Sequence, residues 1–337
     1  MTLALSSHHR ARIVDAGALI LILSLIATLA APGRCAARDA AAPVTPHFEQ
    51  TLLPYVVRVY FDKSGDGSDA YYEILRDDKP VYKQRARGKG EKFFIGTMYA
   101  DDPDAPLVKI GADITGEGKP NLVVSEWTGG ANCCLKFHIF EIGPTFRKIC
   151  VIDAEFGDQP PHFGHQDKSA KSPGLQVLIS DWTFVNWHSD FADSPAPKVI
   201  LRYSDGTYRV SPDLMRTPAP PAAKDLEAKA ADVRSYPASA KGGAWPQAGV
   251  APLLWATMLD LIYSGHDAQA WKFLDSAWPP KVSGKDAFVR DFRAQLAKSP
   301  YWSAVMAMNA AKNPGNLTAK TPSPAPAATP AAANPPS

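Results

Sequence analysis

From residue 48 to residue 216 the apolar positions fall in short runs of Val, Ile, Leu, Phe and Tyr, each bounded by Gly, Asp, Asn or Pro. Runs of this kind predict strands: Tyr55–Phe61, Tyr71–Arg76, Pro80–Gln84, Lys92–Tyr99, Pro106–Ile110, Asn121–Trp127, Lys136–Ile142, Phe146–Ile152, Leu175–Trp182, Lys198–Tyr203 and Thr207–Val210. No helix-length apolar period interrupts them, so the segment is predicted to be all-β. Beyond residue 224 the spacing changes to three and four. Leu254, Met258, Leu261 and Ile262 predict a helix that Gly265 ends with a left-handed cap. Ala270, Trp271, Leu274 and Ala277 predict a second, stopped at Pro279-Pro280. Ser283 with Asp286 forms a shortened capping box ahead of a third, marked by Phe288, Val289, Phe292 and Leu296. The fold class expected is an all-β module followed by a small all-α module, α+β overall.

The β segment repeats itself. Leu122–Trp127 (LVVSEW) and Val177–Trp182 (VLISDW) match, and Val56–Phe61 (VVRVYF) is a weaker third copy. A hairpin comes after each. Leu75-Arg76 with Val81-Tyr82-Lys83 aligns at one constant offset with Leu201-Arg202 and Thr207-Tyr208-Arg209. Three such units favour a propeller-like array or stacked sheets over an immunoglobulin-type sandwich.

The ends of the chain differ from its middle. Arg10 and Arg12 precede Ala16–Ala31, which carries no charge, and small residues come next. Residues 1–37 therefore read as a secretory signal peptide or, if retained, a membrane anchor. Residues 38–47 form a linker, 48–216 the β-repeat domain, 217–223 (TPAPPAA) a Pro-rich linker, and 224–312 the helical module. The segment 313–337 holds seven prolines and seven alanines, too little apolar surface for a core, and reads as disordered. The net charge of +2 comes entirely from residues 1–37, leaving a neutral mature chain. A nucleic-acid partner is not expected of such a chain. A membrane is a partner only if the N-terminal segment is retained. The expected compartment is the periplasm or the exterior.

Gly111–Val124 (GADITGEGKPNLVV) resembles the FG-GAP and VCBS families of extracellular β-propeller repeats, whose aspartate- and glycine-rich loop runs into an apolar strand. Asp113, Gly116, Gly118 and Leu122–Val124 match that pattern; Thr115, Glu117 and Asn121 stand where the family has aspartates. The resemblance implies a calcium loop formed by Asp113, Thr115, Glu117 and Asn121. With at most two carboxylates in the set, the expectation is a weak or vacant site retained as a tight turn. Residues 253–277 resemble one tetratricopeptide-type helical hairpin, a unit that usually needs stacked neighbours.

Cys133, Cys134 and Cys150 remain after signal removal. If Gly143-Pro144-Thr145 is the hairpin loop, Ile142 faces Phe146 and Cys150 faces His138. That register sets Cys150 roughly 13 Å from Cys134, beyond disulfide reach. A vicinal Cys133–Cys134 bond is expected; the alternative is three reduced thiols. Gly129–Cys134 also resembles a Gly-Gly-x-x-Cys-Cys signature of uncharacterised exported bacterial proteins, which implies no activity.

His162, His165 and Asp167 in a proline-rich loop are the one enzymatic lead, since imidazoles three apart can share a metal. No nucleophile elbow, phosphate loop or H-E-x-x-H helix occurs. The sequence thus points to an exported, non-enzymatic binding or scaffold protein with an envelope protein or glycan as partner and no resident cofactor. The alternative is a metal-dependent envelope hydrolase built on His162, His165 and Asp167. Trp127, Trp182, Phe184, Trp187 and Phe191 are expected to pack inside the repeat junctions.

Overall fold

The computed structural model describes residues 45–61, 70–97, 108–130, 134–155, 162–166, 173–236, 250–280 and 282–311. All of them fall in one compact unit. The signal or anchor segment, Cys133, Asp167 and the Pro/Ala-rich segment from 312 onward lie outside the described residues.

Twelve strands form three four-stranded antiparallel sheets, each built from chain neighbours in order. The first joins β1 (Phe48–Leu52), β2 (Tyr55–Tyr60), β3 (Tyr71–Arg76) and β4 (Lys79–Arg85). The second joins β5 (Lys92–Ile95), β6 (Asn121–Trp127), β7 (Leu135–Ile142) and β8 (Phe146–Asp153). The third joins β9 (His162–Gly164), β10 (Gln176–Ser180), β11 (Lys198–Ser204) and β12 (Thr207–Val210). Two-residue turns close two of the hairpins: Asp77-Asp78 and Asp205-Gly206 all have positive φ, the geometry that matches strand twist. No sheet closes on itself among the described residues. The three copies of the repeated apolar run fall on β2, β6 and β10, the second strand of each sheet.

Six helices come after the sheets: α1 (Pro212–Met215), α2 (Ala223–Ser235), α3 (Leu253–Tyr263), α4 (Asp267–Ala277), α5 (Lys285–Leu296) and α6 (Trp302–Ala310). The architecture is α+β. Gly265 ends α3 at φ +84°, and the His266 amide reaches back to the Leu261 carbonyl, as a left-handed cap requires. The start of α5 departs from expectation. Gly284, at φ +94°, takes the cap position and no side chain caps the helix, so Ser283 and Asp286 do not form their box.

Alternation along the strands divides the core in two. Leu122, Val124, Phe140 and Ile142 face the first sheet and pack with Tyr55, Val57, Val59, Tyr72, Ile74 and Phe93. Val123, Leu135, Phe137 and Ile139 face the other way, toward Phe163, Val177, Ile179, Val199 and Leu201 of the third sheet. That second cluster runs on without a break into the helices, through Leu254, Trp255, Met258, Phe288 and Phe292. Trp187 bridges the two parts, with its ring 5.6 Å from Trp255 and 5.9 Å from Phe288. The proline-rich 217–223 stretch passes between strand-rich and helical parts of one shared core.

Two strand expectations are corrected. Val108–Ile110 form no strand, and the hairpin of β7 and β8 does not keep simple register. Ile142 lies opposite Phe146 as expected, but Ile149 is an extra residue, so Cys150 lies opposite Ile139 rather than His138. The bulge has a packing cause. It lets Phe146 point to the first core while Ile152 points to the second.

Candidate functional site

Two of the three repeated runs close on an acid followed by tryptophan, Glu126-Trp127 and Asp181-Trp182. Both acids are buried: Glu126 is the penultimate residue of β6, and Asp181 lies just past β10. A carboxylate is costly to bury unless hydrogen bonds replace its water. Asp181 accepts four: from the Thr183 amide (2.9 Å), the Thr183 hydroxyl (2.5 Å), the Tyr263 hydroxyl (2.5 Å) and the Ser299 hydroxyl (2.5 Å). Tyr263 closes α3 and Ser299 sits between α5 and α6, so one buried acid ties the third sheet to the helices. Burial first, and Asp181 second, push the Tyr263 phenol well up from its ordinary value.

Beside Asp181, the end of β8 brings two more acids. Glu155 is held at φ +53°, and its amide donates to the Asp153 carboxylate at 3.1 Å. Burial, then the charges of Asp181 and Asp153, push the Glu155 carboxyl up to about 7; a hydrogen bond from the Trp182 backbone offsets this in part. None of the three acids has a basic partner among the described residues. Asp153 and Glu155 open into a cleft of about 740 Å³ between β8, β12 and the start of α6, with Tyr301, Thr207, Arg209 and Cys150 also on its walls. Burial, then the three carboxylates, push the Tyr301 phenol up. Burial also pushes the Cys150 thiol up, against smaller opposing effects of the Tyr208 backbone and the Thr207 hydroxyl.

Chemically, the cleft offers acceptors. Glu155 can exchange a proton near neutrality, and Asp153 can receive a donor. The Cys150 thiol stays protonated, so it is no activated nucleophile. A ligand with a basic nitrogen would find carboxylates that no protein cation already occupies.

A second buried pair lies across the first core. Glu126 Oε2 meets His138 Nε2 at 2.6 Å, with Lys136 Nζ 3.7 Å from Glu126 Oε1. Burial acts to raise the Glu126 carboxyl, but the hydrogen bond and charge of His138, with Lys136 and Arg87 beyond, hold it below the ordinary carboxylate value. His138 Nδ1 has no hydrogen-bond partner among the described residues. This pair is closed from solvent by Tyr72 and its neighbours.

The residues singled out from sequence sit elsewhere. Asp113 turns both carboxylate oxygens inward on its own loop, accepting from the Gly116 and Gly118 amides at 2.7 Å and from the Thr115 hydroxyl at 3.2 Å. Asn121 Oδ1 accepts from the Ile114 and Thr115 amides. Glu117 instead leans on Lys119, which also binds Glu141 at 3.2 Å. The loop is thus a self-capped turn. It packs by backbone contact against Pro173-Gly174, while the Leu175 amide bonds the Ile114 carbonyl. His162 lies half-buried in β9 opposite Leu178, and His165 is exposed just beyond the strand. Among the described residues no group of three or more His, Cys, Asp or Glu can hold a metal ion.

Cys134 is disulfide-bonded and Cys150 is free. Mass spectrometry of non-reduced peptides after thiol blocking is expected to show a Cys133–Cys134 linked peptide, with Cys150 as a free, slowly labelled thiol. A crosslink from Cys150 to Cys134 would contradict both the pairing and the observed strand register.

Glu126, His138, Glu155 and Asp181 escaped sequence reasoning. The available signal was a lone acid closing an otherwise apolar, β-branched strand, which demands either a partner or a site. The chain matches no protein-family model, no curated protein and no solved structure.

Proposed function

We propose that this is an exported, non-enzymatic binding protein whose ligand carries a basic nitrogen and docks in the cleft between β8, β12 and α6. The observation that carries this reading is Glu155: a half-buried carboxyl, flanked by Asp153 and Asp181, that opens into an ample cleft and forms no ion pair with a described residue, although Arg209 stands elsewhere on the cleft wall. A protonated amine would bind best when Glu155 is ionised, and its charge would offset the burial and, after it, the carboxylate repulsion that push the carboxyl up to about 7. The reading of the three meanders as a propeller-like array belongs to the same proposal. It is supported by the repeated run on the second strand of each sheet and by the resemblance of residues 111–124 to extracellular repeat modules.

Titration calorimetry of the mature chain with spermidine tests it. Affinity is expected to rise about tenfold between about pH 6 and about pH 8, as Glu155 ionises through its value of about 7. Glu155→Gln is expected to abolish that rise. The carboxyl's folded value lies above its ordinary one, so its contribution to stability is lost as pH rises through about 7. The Gln variant is therefore expected to melt higher than the parent at about pH 8, by about 1 kcal/mol after allowance for partial exposure, and to match it near pH 4. A raised melting point without any spermidine binding would keep the electrostatics and sink the function.

A further inference from the structure

α6 reads WSAVMAMNA and carries no charged residue. Val305 and Met308 are buried on one side against the helical core. Trp302, Met306, Ala307 and Ala310 recur at spacings of three and four and so share the opposite side. With Trp271 of α4 and Arg293 of α5 they line a groove of about 800 Å³. Met306 is 50% exposed and both tryptophans are half-buried. Ser303 is a polar residue on that side, and an apolar patch left open on a helix marks an interaction surface. Among the described residues only one side of α6 is covered.

The chain leaves α6 at the rim of this groove. Ala310 lines it, and the sequence continues through 311–321 into Pro322-Ser-Pro324-Ala-Pro326 and on to Pro330 with no acidic residue. Pro-rich segments favour an extended helix that costs little to order, and aromatic-lined grooves are the surfaces that bind it. Prolines offer carbonyl acceptors and no amide donors. Arg293, stacked 4.6 Å over the Trp271 ring and in no ion pair with a described residue, supplies donors at the groove wall.

We propose that the groove binds the segment Thr321–Pro330 of the same chain. The linker 311–321 can reach about 35 Å at ~3.3 Å per residue, more than the ~13 Å length of α6, so the segment can fold back along the helix it succeeds. A linker this short gives an effective concentration of about millimolar. Weak contacts suffice for binding within the chain, and a separate copy of the peptide has to approach that concentration to compete.

The test uses the full mature chain, isotopically labelled. The alanine methyl and proline signals of residues 321–330 are expected to be broadened and displaced upfield by the indole rings. They are expected to return to free-peptide positions in Trp302→Ala. A variant with Pro322→Ser, Pro324→Ser and Pro326→Ser alters no described residue, so it separates loss of docking from loss of folding. It is expected to release the segment and shift tryptophan emission to the red. Free-peptide positions in the parent chain, or unchanged emission in the proline variant, would overturn the proposal. So would docked signals that vanish on dilution, which would assign the groove to a second copy of the chain.

Discussion

Glu126→Ala is expected to destabilise the protein by about 3–5 kcal/mol, lowering its melting temperature by roughly ten degrees. The reason is the partner it leaves behind. His138 is buried, its Nδ1 has no partner among the described residues, and its Nε2 would lose the 2.6 Å bond to Glu126. Lys136 would lose its nearest anion as well. Breaking one half of a buried pair costs more than the pair contributes, because the remaining polar group keeps its desolvation penalty. Glu126→Leu combined with His138→Leu is therefore expected to recover most of the loss. Thermal melts of Glu126→Leu, His138→Leu and the double variant form the cycle that reads this coupling. The pair also sets a pH limit. The Glu126 carboxyl is held below its ordinary value, so its contribution is present above that value and disappears as pH falls through the lowered one. A Glu126→Ala melt within a degree of the parent would mean the pair is not closed from water as the structure has it.

Gly116→Ala is the second large effect, about 2–4 kcal/mol. The residue has φ +78°, and an added methyl would collide with the Gly174 amide nitrogen and stand 2.8 Å from the Pro173 carbonyl carbon. Those neighbours are backbone and cannot rotate aside. Left-handed strain contributes roughly 1–2 kcal/mol, and forced displacement of the 173–174 segment supplies the rest. Gly118→Ala is the internal control, for it shares the positive φ of +72° but has nothing within 4 Å of the added carbon. It is expected to cost about 1 kcal/mol. Equal losses in the two variants would show that the loop does not rest on Pro173-Gly174.

Most strands and three helices were readable because their periodicities are pure. β3, β6 and β12 have the bounds that alternation and turn residues predict, and the left-handed Gly265 cap was visible as a glycine after the last periodic leucine and isoleucine. The elements that stayed hidden did so for physical reasons. β1 is exposed along nearly all of its length, so its sequence, FEQTL, shows no buried face to betray it. β9 is three residues long. α6 has only Ser303 and Asn309 as polar residues, too few to mark a period. The bulge at Ile149 left no residue signature, and it moved Cys150 from opposite His138 to opposite Ile139. The candidate site was illegible for a different reason. Glu155 and Asp181 are made noteworthy by each other and by Tyr263 and Ser299, residues that are far apart in sequence and meet only when the helices close on the third sheet.

In every sheet the order of strands in space is their order in the chain, so each hydrogen-bonded ladder joins chain neighbours, the widest connection being 96–120 between β5 and β6. Loop closure is the entropic toll that makes β-rich chains slow to fold. Here each four-stranded meander can assemble from its own contiguous stretch, and the first can be complete before residue 86 has a successor. Only the joining of preformed layers, and their capping by α3 to α6, has to wait for distant parts of the chain. A polypeptide delivered from its N-terminus would thus acquire its architecture layer by layer, with the aromatic and acidic seam around Trp187 and Asp181 as the last surface to be shut away from water.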